Sequence, residues 1–143
     1  MKKWIITIAV ILFLGILFFI IRRSDDQNLG DNYYYLPEYE AIDVGYPGGA
    51  IIYKSTQKYL FSNVKISGNI ISVNTNKDYI IALQQKIDSV FDKTSSNITE
   101  KDSLKYFIIQ KKADLLFGPY SKDEYIKKRE ELGIPKELQF KIE

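Results

Sequence analysis

Residues 4–21 (WIITIAVILFLGILFFII) form an apolar run without a charged side chain, and Thr7 is its one polar residue. As a helix, a run of this length spans about 27 Å, close to the hydrocarbon thickness of a bilayer. Lys2 and Lys3 precede the run, and Arg22 and Arg23 follow it. The pattern predicts a transmembrane anchor with basic flanks over residues 1–23.

The predicted anchor would contact the lipid bilayer through its large apolar side chains. These are Trp4, Ile5, Ile6, Val10, Leu12, Phe13, Leu17, Phe18, Phe19 and Ile21. A cleaved signal peptide is the alternative, but residues 20–23 offer no small-residue cleavage site, and the run is longer than the usual apolar h-region of a signal peptide. A small excess of basic charge at the amino terminus favours an extracytoplasmic domain on a bacterial cell membrane.

A polar segment, residues 24–32, follows the apolar run and predicts a linker. Beyond it, aromatic and β-branched residues alternate with turn formers, which is typical of short antiparallel strands. We expect strands at 33–39, 41–46, 50–54, 58–62, 63–67, 69–74 and 78–83. Between two of these strands, Gly68 and Asn69 favour a tight hairpin turn.

The following segment carries a helical stripe. Leu83, Ile87, Val90 and Phe91 are spaced for one face of a helix, so a short helix is expected after the strand at 78–83. The alternative is one long helix that begins near Ile80. Residues 93–103 predict a surface loop, and residues 105–111 predict another strand.

The last helix has the clearest boundaries. Ser121 with Glu124 three residues later forms a capping-box pattern, and Gly133 followed by Pro135 predicts its end. Its narrow apolar stripe predicts a helix lying on a sheet. Residues 136–143 predict a final short strand or a tail.

These elements predict an α+β fold class. An N-terminal transmembrane helix precedes one small antiparallel β-meander domain, residues 33–143. The meander has about five to seven strands and one or two helices towards the carboxyl terminus.

The composition restricts the chemistry. Among 143 residues there is no His and no Cys, which excludes disulfides, thiol nucleophiles, imidazole catalysis and the usual zinc and haem ligands. The formal charge of +2 comes from the flanks of the apolar run, so it does not indicate a nucleic-acid partner. No cofactor motif is present, and no cofactor or metal is expected.

The charge pattern is uneven. Residues 24–49 hold six acids and no basic residue, whereas residues 50–83 hold four Lys and one Asp. One interpretation is charge pairing between neighbouring strands. The other is an acidic, Tyr-rich surface for a basic protein partner, although most of the tyrosines are expected to pack in the core. The candidate binding residues are Tyr35, Glu38, Tyr39, Glu40 and Asp43.

Three segments carry a resemblance to known proteins: residues 33–53 (YYYLPEYEAIDVGYPGGAIIY), 69–83 (NIISVNTNKDYIIAL) and 117–135 (FGPYSKDEYIKKREELGIP). They resemble a group of short uncharacterised bacterial proteins, each with a membrane anchor or lipoprotein signal and one domain of unknown function. The resemblance implies an envelope setting and no reaction. This chain lacks the lipidation Cys of the lipoprotein members.

The predicted function is therefore that of a membrane-anchored, non-enzymatic protein-interaction module whose partner is unknown. An immunity-type protein that neutralises a toxin is one alternative. Another is a hydrolase of envelope glycans that uses carboxylates such as Glu38 and Glu40, because paired acids can act as general acid and base.

Overall fold

Eight strands and two helices make up the residues that the computed structural model describes, 27–86 and 104–140. The strands are β1 (Gln27–Gly30), β2 (Tyr33–Leu36), β3 (Ile51–Lys54), β4 (Val64–Ser67), β5 (Ile70–Thr75), β6 (Tyr79–Gln85), β7 (Leu104–Gln110) and β8 (Leu115–Tyr120). The helices are α1 (Glu38–Asp43), between β2 and β3, and α2 (Lys122–Glu131), after β8.

The strands form two antiparallel sheets. The first has the order β1-β2-β3-β4 and the second has the order β5-β6-β7-β8. Within each sheet, every strand therefore pairs with its neighbour in sequence, as in a meander. The longest register joins β6 to β7, from Tyr79 opposite Gln110 to Gln85 opposite Leu104.

Apolar side chains from both sheets meet in one inner core. The first sheet contributes Leu29, Tyr33, Ile52 and Ile66, and the second contributes Ile70, Ile80, Ala82, Phe107 and Ile109. Alternate residues of a strand point to opposite faces, so the side chains between these positions face outward. The two sheets are thus packed face to face as a sandwich.

The outward faces are buried as well. On the first sheet, Leu36, Ile51 and Tyr53 pack with Ala41 of α1. On the second sheet, Ile81 and Ile108 pack with Tyr125 of α2 and with the chain that follows it, at Ile134 and Leu138. Burial on both faces explains the continuous apolar runs in β3, β6 and β7, because such strands have no solvated face.

The predicted fold class was wrong. The described residues form two four-stranded sheets instead of one meander sheet, and a helix lies in the amino-terminal half as well as near the end. Within residues 27–86 and 104–140, no helix is long and apolar enough to cross a membrane. The predicted anchor and its ten bilayer-contacting residues lie outside the described residues.

Two predicted strands in the first half do not form. Residues 38–43 are helical because Pro37, in an extended conformation, stands at the N-cap and Glu38 and Glu40 occupy the first turn, where acids favour the helix dipole. The segment 58–62 contains bends and turns, and Tyr59 has a left-handed φ of 64° that interrupts an extended strand.

The predicted hairpin at Gly68 and Asn69 was wrong too. The chain changes sheets there: Ile66 of β4 and Ile70 of β5 both face the inner core but belong to different sheets. Gly68 has φ of 117°, and a Cβ at this position would lie 2.8 Å from Nε2 of Gln84. Glycine therefore permits a sharp turn against β6.

Most other predicted elements are confirmed. The strands at 51–54, 64–67, 70–75, 79–85 and 104–110 lie within one or two residues of the predicted bounds, whereas the strand predicted at 33–39 ends three residues earlier, at Leu36. β1 lies within the predicted linker, and its Leu29 is buried. Most of the predicted short helix and the loop at 93–103 lie outside the described residues. Residues 136–140 form no strand, but Leu138 and Phe140 pack on the second sheet.

Helix α2 has the predicted boundaries. Ser121 Oγ accepts a hydrogen bond from Glu124 N, and the Glu124 carboxylate accepts one from Ser121 N at 2.8 Å, which completes the capping box. At the other end Gly133 has φ of 63°, and Ile134 N donates to Arg129 O at 3.0 Å, the pattern of a Schellman motif. Pro135 follows directly and prevents the helix from continuing.

The turn at residues 111–114 joins the two sheets through polar side chains. Lys111 is buried, and its Nζ donates to the carbonyls of Leu29 in β1 and Asn76 in the β5–β6 turn. Asp114 Oδ1 accepts a hydrogen bond from the Tyr33 hydroxyl at 2.5 Å. The same oxygen lies 2.9 Å from Nζ of Lys65 and 3.3 Å from Nζ of Lys54. One turn of the second sheet thereby contacts all four strands of the first.

We expect the Asp114 carboxylate to make folding depend on acid pH. The Tyr33 hydrogen bond, with those of Lys65 and Lys54, lowers the pKa of Asp114 to about 2, although partial burial opposes the shift. A lowered pKa stabilises the fold above the unfolded-state pKa of about 4, and this contribution is lost as the pH falls from about 4 to about 2. Asp114→Asn should lower the free energy of unfolding at pH 7 by about 1 kcal/mol.

Urea unfolding of the full chain between pH 7 and pH 2 tests this expectation. The curves of Asp114→Asn and wild type should converge near pH 2. Asp78→Asn is the control, because its pair with Lys112 is largely exposed and should change stability by about 0.5 kcal/mol or less. A constant difference between Asp114→Asn and wild type at all pH values would contradict the role of the charge.

Candidate interaction surface

The outer layer of the first sheet holds four of the five candidate residues. Glu38, Tyr39, Glu40 and Asp43 all lie on α1, and Tyr35 lies on β2. Tyr35 is half-buried and packs against the inner core. Burial, with a smaller contribution from the charge of Glu38, raises the pKa of Tyr35. The structure thus brings the predicted residues together on one short helix, with Tyr35 in the sheet beneath.

An aromatic cluster fixes the position of this layer. Tyr34 stacks on Tyr53 with 5.3 Å between ring centroids, and Phe61 meets Tyr53 edge-on at 4.9 Å. Tyr46, just after α1, meets Phe61 edge-on at 5.9 Å. Such offset and edge-on pairs are the favourable geometries for aromatic rings. Both α1 and the loop at residues 55–63 are therefore held on the sheet.

A backbone contact shapes the tip of this loop. Tyr59 N donates to the Tyr53 hydroxyl at 3.1 Å, and Tyr59 has the left-handed φ noted above. A bulky residue with positive φ is uncommon and needs support from its surroundings. With the backbone turned this way, the side chains of Tyr59 and Leu60 are about half exposed. The loop tip therefore presents two apolar side chains to solvent.

Exposed apolar side chains concentrate in this layer. Among the described residues, nine large apolar side chains are exposed, and five of them belong to α1, its carboxyl end or the loop tip. They are Tyr39 at 56%, Ile42 at 48%, Val44 at 46%, Tyr59 at 53% and Leu60 at 47% exposure. Single exposed apolar residues are ordinary, but a concentration of them is typical of a protein-binding surface.

The same helix is acidic. Glu38, Glu40 and Asp43 lie on α1, and the helix has no basic residue. We call the exposed side chains of Glu38, Tyr39, Ile42, Asp43 and Val44 the acidic face. These acids lie on a helix and not on a strand, where the charge pattern had placed them. Lys54 and Lys65 bind Asp114.

The two glutamates are poorly placed for glycosidase chemistry. Glu38 and Glu40 are two positions apart on a helix, so their side chains point about 200° apart around its axis. A retaining or inverting pair instead has to converge on one substrate bond. In the described ranges, no group of three or more Asp and Glu residues is placed to hold a metal ion.

A polar cleft of about 340 Å³ lies near the loop tip. It is lined by Asn32, Lys54, Ser55, Thr56, Leu60, Ser62, Asn63 and Asp114. Its charged groups, Lys54 and Asp114, already bind each other across the two sheets at 3.3 Å. These charges therefore bind within the joint between the sheets, and the other polar side chains of the cleft are hydroxyl and amide groups.

The exposed apolar side chains of this surface were not predicted from the sequence. Ile42, Val44, Tyr59 and Leu60 fall in segments that were predicted as strands, where alternate residues would be buried. The available signal was the spacing of Tyr39 and Ile42, three positions apart, with Ala41 between them, which suits one exposed stripe and one buried position on a helix.

Comparison with known proteins identifies the family of this chain but assigns no activity to it. The family described as "Protein of unknown function (DUF3997)" matches residues 31–143. No curated protein and no solved structure matches the chain. The predicted resemblance to an uncharacterised group is confirmed at this level.

We expect Ile42 to contribute almost nothing to folding. Ile42→Ala should change the free energy of unfolding by about 0.5 kcal/mol or less, because the side chain is nearly half exposed. Ile51→Ala is the matched substitution beneath the same layer. Since Ile51 is fully buried, it should cost about 2–5 kcal/mol. Urea unfolding of the full chain measures both changes. If the two substitutions lowered the free energy of unfolding equally, Ile42 would contribute as much to folding as Ile51.

Proposed function

The chain belongs to this family of unknown function, and from its exposed surface we propose that the domain is a protein-interaction module. The acidic face binds a partner that presents apolar side chains together with basic groups. The observation that carries this proposal is that, among the described residues, exposed apolar side chains concentrate on a layer whose helix is also acidic.

The apolar and the charged side chains of the acidic face would have different roles in binding. Tyr39, Ile42 and Val44 would supply the apolar area that leaves water on binding, at about 25 cal/mol per Å². Glu38 and Asp43 flank them and would attract a basic partner and exclude an acidic one. Tyrosine suits such a surface because it buries a large area while losing little side-chain freedom.

Binding is favoured over catalysis by the placement of the acids, since Glu38 and Glu40 diverge on their helix. The location at a bacterial cell membrane, with contact to the lipid bilayer, rests on the apolar run of residues 4–21 and stays a prediction.

Reversing the charge of the acidic face should abolish partner capture. Tagged full-length chain is expressed in its native cells, cross-linked and purified, and the recovered proteins are compared between variants. Glu38→Lys/Asp43→Lys should lower the recovery of the partner at least tenfold, which corresponds to about 1.4 kcal/mol of binding free energy.

Asp78→Lys/Glu131→Lys is the matched control, since it makes the same charge change outside the acidic face, at two largely exposed carboxylates. It should leave recovery unchanged. If Glu38→Lys/Asp43→Lys recovers every protein at the wild-type level, the acidic face is not the interface and the proposed function fails.

A further inference from the structure

An open groove lies on the opposite side of the molecule, against the outer layer of the second sheet. It has a volume of about 860 Å³ and runs between α2 and the chain at residues 133–140. Tyr125, Ile126, Ile134 and Phe140 line it with apolar surface. Ile126 is 44% exposed, although it lies on a helix that packs on the sheet. Within residues 27–86 and 104–140, the groove therefore offers apolar area that is accessible for contact.

The rim of the groove is basic. Among its lining residues in the described part of the chain, Lys122, Arg129 and Lys136 are cationic, and Glu130 is the one carboxylate. Arg129 also links α2 to the chain that follows it, because its guanidinium donates to the Tyr125 hydroxyl at 3.0 Å and to Pro135 O at 2.9 Å. We call this feature the basic groove. It combines apolar walls with an excess of positive charge.

The acidic face and the basic groove are complementary in charge and alike in apolar character. The acidic face carries two acids, Glu38 and Asp43, on a helix without basic residues, and the basic groove is lined by three cations and one acid. They lie on the outer layers of the two different sheets, with the inner core between them. The two surfaces cannot meet within one molecule.

We propose that the basic groove binds the acidic face of a second copy of this chain. This inference rests on the proposed function and names the partner of the same surface. Ile42 and Tyr39 of one copy contact the apolar walls around Ile126 of the next. Glu38 and Asp43 lie against Lys122 and Lys136 at the rim.

This contact has a defined symmetry. The two surfaces are different, so the interface is heterologous and leaves one free acidic face and one free basic groove on every dimer. Further copies add by the same contact and produce a ring or an open chain. The average mass should consequently pass beyond that of a dimer as the concentration rises.

Sedimentation equilibrium with paired charge reversals tests the contact. The full-length chain is held in a density-matched, mild non-ionic detergent, which keeps the apolar residues 4–21 in solution. At about 100 µM, a concentration suited to a moderate affinity, the protein mass should be at least twice the 16.6 kDa of one chain. Glu38→Lys/Asp43→Lys and Lys122→Glu/Lys136→Glu should each sediment as one chain.

Mixing the two variants is the decisive measurement. Each variant repels itself, but its reversed surface now complements the other variant, so an equimolar mixture should regain the mass of the wild type. Lys77→Glu/Lys112→Glu makes the same charge change elsewhere and should associate as wild type does. Wild type that stays at 16.6 kDa, a variant that still associates alone, or a mixture that stays monomeric would overturn the inference.

Salt supplies a test that needs no variant. Exposed charges are screened over about 8 Å at 0.15 M salt and over about 3 Å at 1 M, so the wild-type association should weaken at least tenfold between these concentrations. If the association were equally strong at both salt concentrations, the proposed contact between charges would be wrong. If the chain is monomeric yet loses a different captured protein on Glu38→Lys/Asp43→Lys, this inference fails while the proposed function stands.

Discussion

Burial of both faces of both sheets is the constraint on which the rest of the structure depends. Ile52 faces the inner core, while its neighbours Ile51 and Tyr53 face outward and are fully buried as well. A single sandwich would leave these outward side chains in water. Helix α1 and the loop at residues 55–63 cover one sheet, and α2 with residues 133–140 covers the other. The layers that complete the core are therefore also the outermost surfaces of the domain.

This arrangement links folding to the proposed function. A covering element needs apolar side chains only on its inner side, as Ala41 shows in α1. Its outer side can carry polar and charged groups, and here it carries Tyr39, Ile42, Glu38 and Asp43. The aromatic cluster around Tyr53 makes this layer a fixed platform. Fixed platforms favour binding because little freedom is lost when a partner docks.

Part of the fold could be predicted from the sequence, because local signals determine it. The capping box at Ser121 and the glycine at position 133 set the ends of α2 through contacts a few residues apart. The alternation and composition of β5, β6 and β7 indicate strands. The division into two sheets could not be predicted, because Gly68 and Asn69 suit a hairpin as well as a change of sheet. Only the packing of Ile66 and Ile70 into a shared core distinguishes these outcomes.

The acidic and tyrosine-rich character of the candidate surface was predicted from the sequence, but its helical structure was not. Acids and tyrosines in residues 33–46 indicated an interaction surface, but their aromatic and β-branched content favoured strands. The helix forms because Pro37 ends β2 and Ala41 fits against Leu36 and Ile51 in a tertiary contact. The joint at residues 111–114 was not predicted either, because Asp114 meets Tyr33 across 81 positions of sequence. Contacts of that separation leave no local pattern.

Amide hydrogen exchange of the full chain, free and in its partner-bound state, shows which surface the partner covers. New protection on binding is expected in residues 38–44 and 58–60, where the exposed apolar side chains concentrate. Ile71, Leu115 and Leu116 are also exposed but lie on strands of the second sheet. Protection confined to those strands, with none at residues 38–44, would contradict the claim that the layer covering the first sheet is the binding surface.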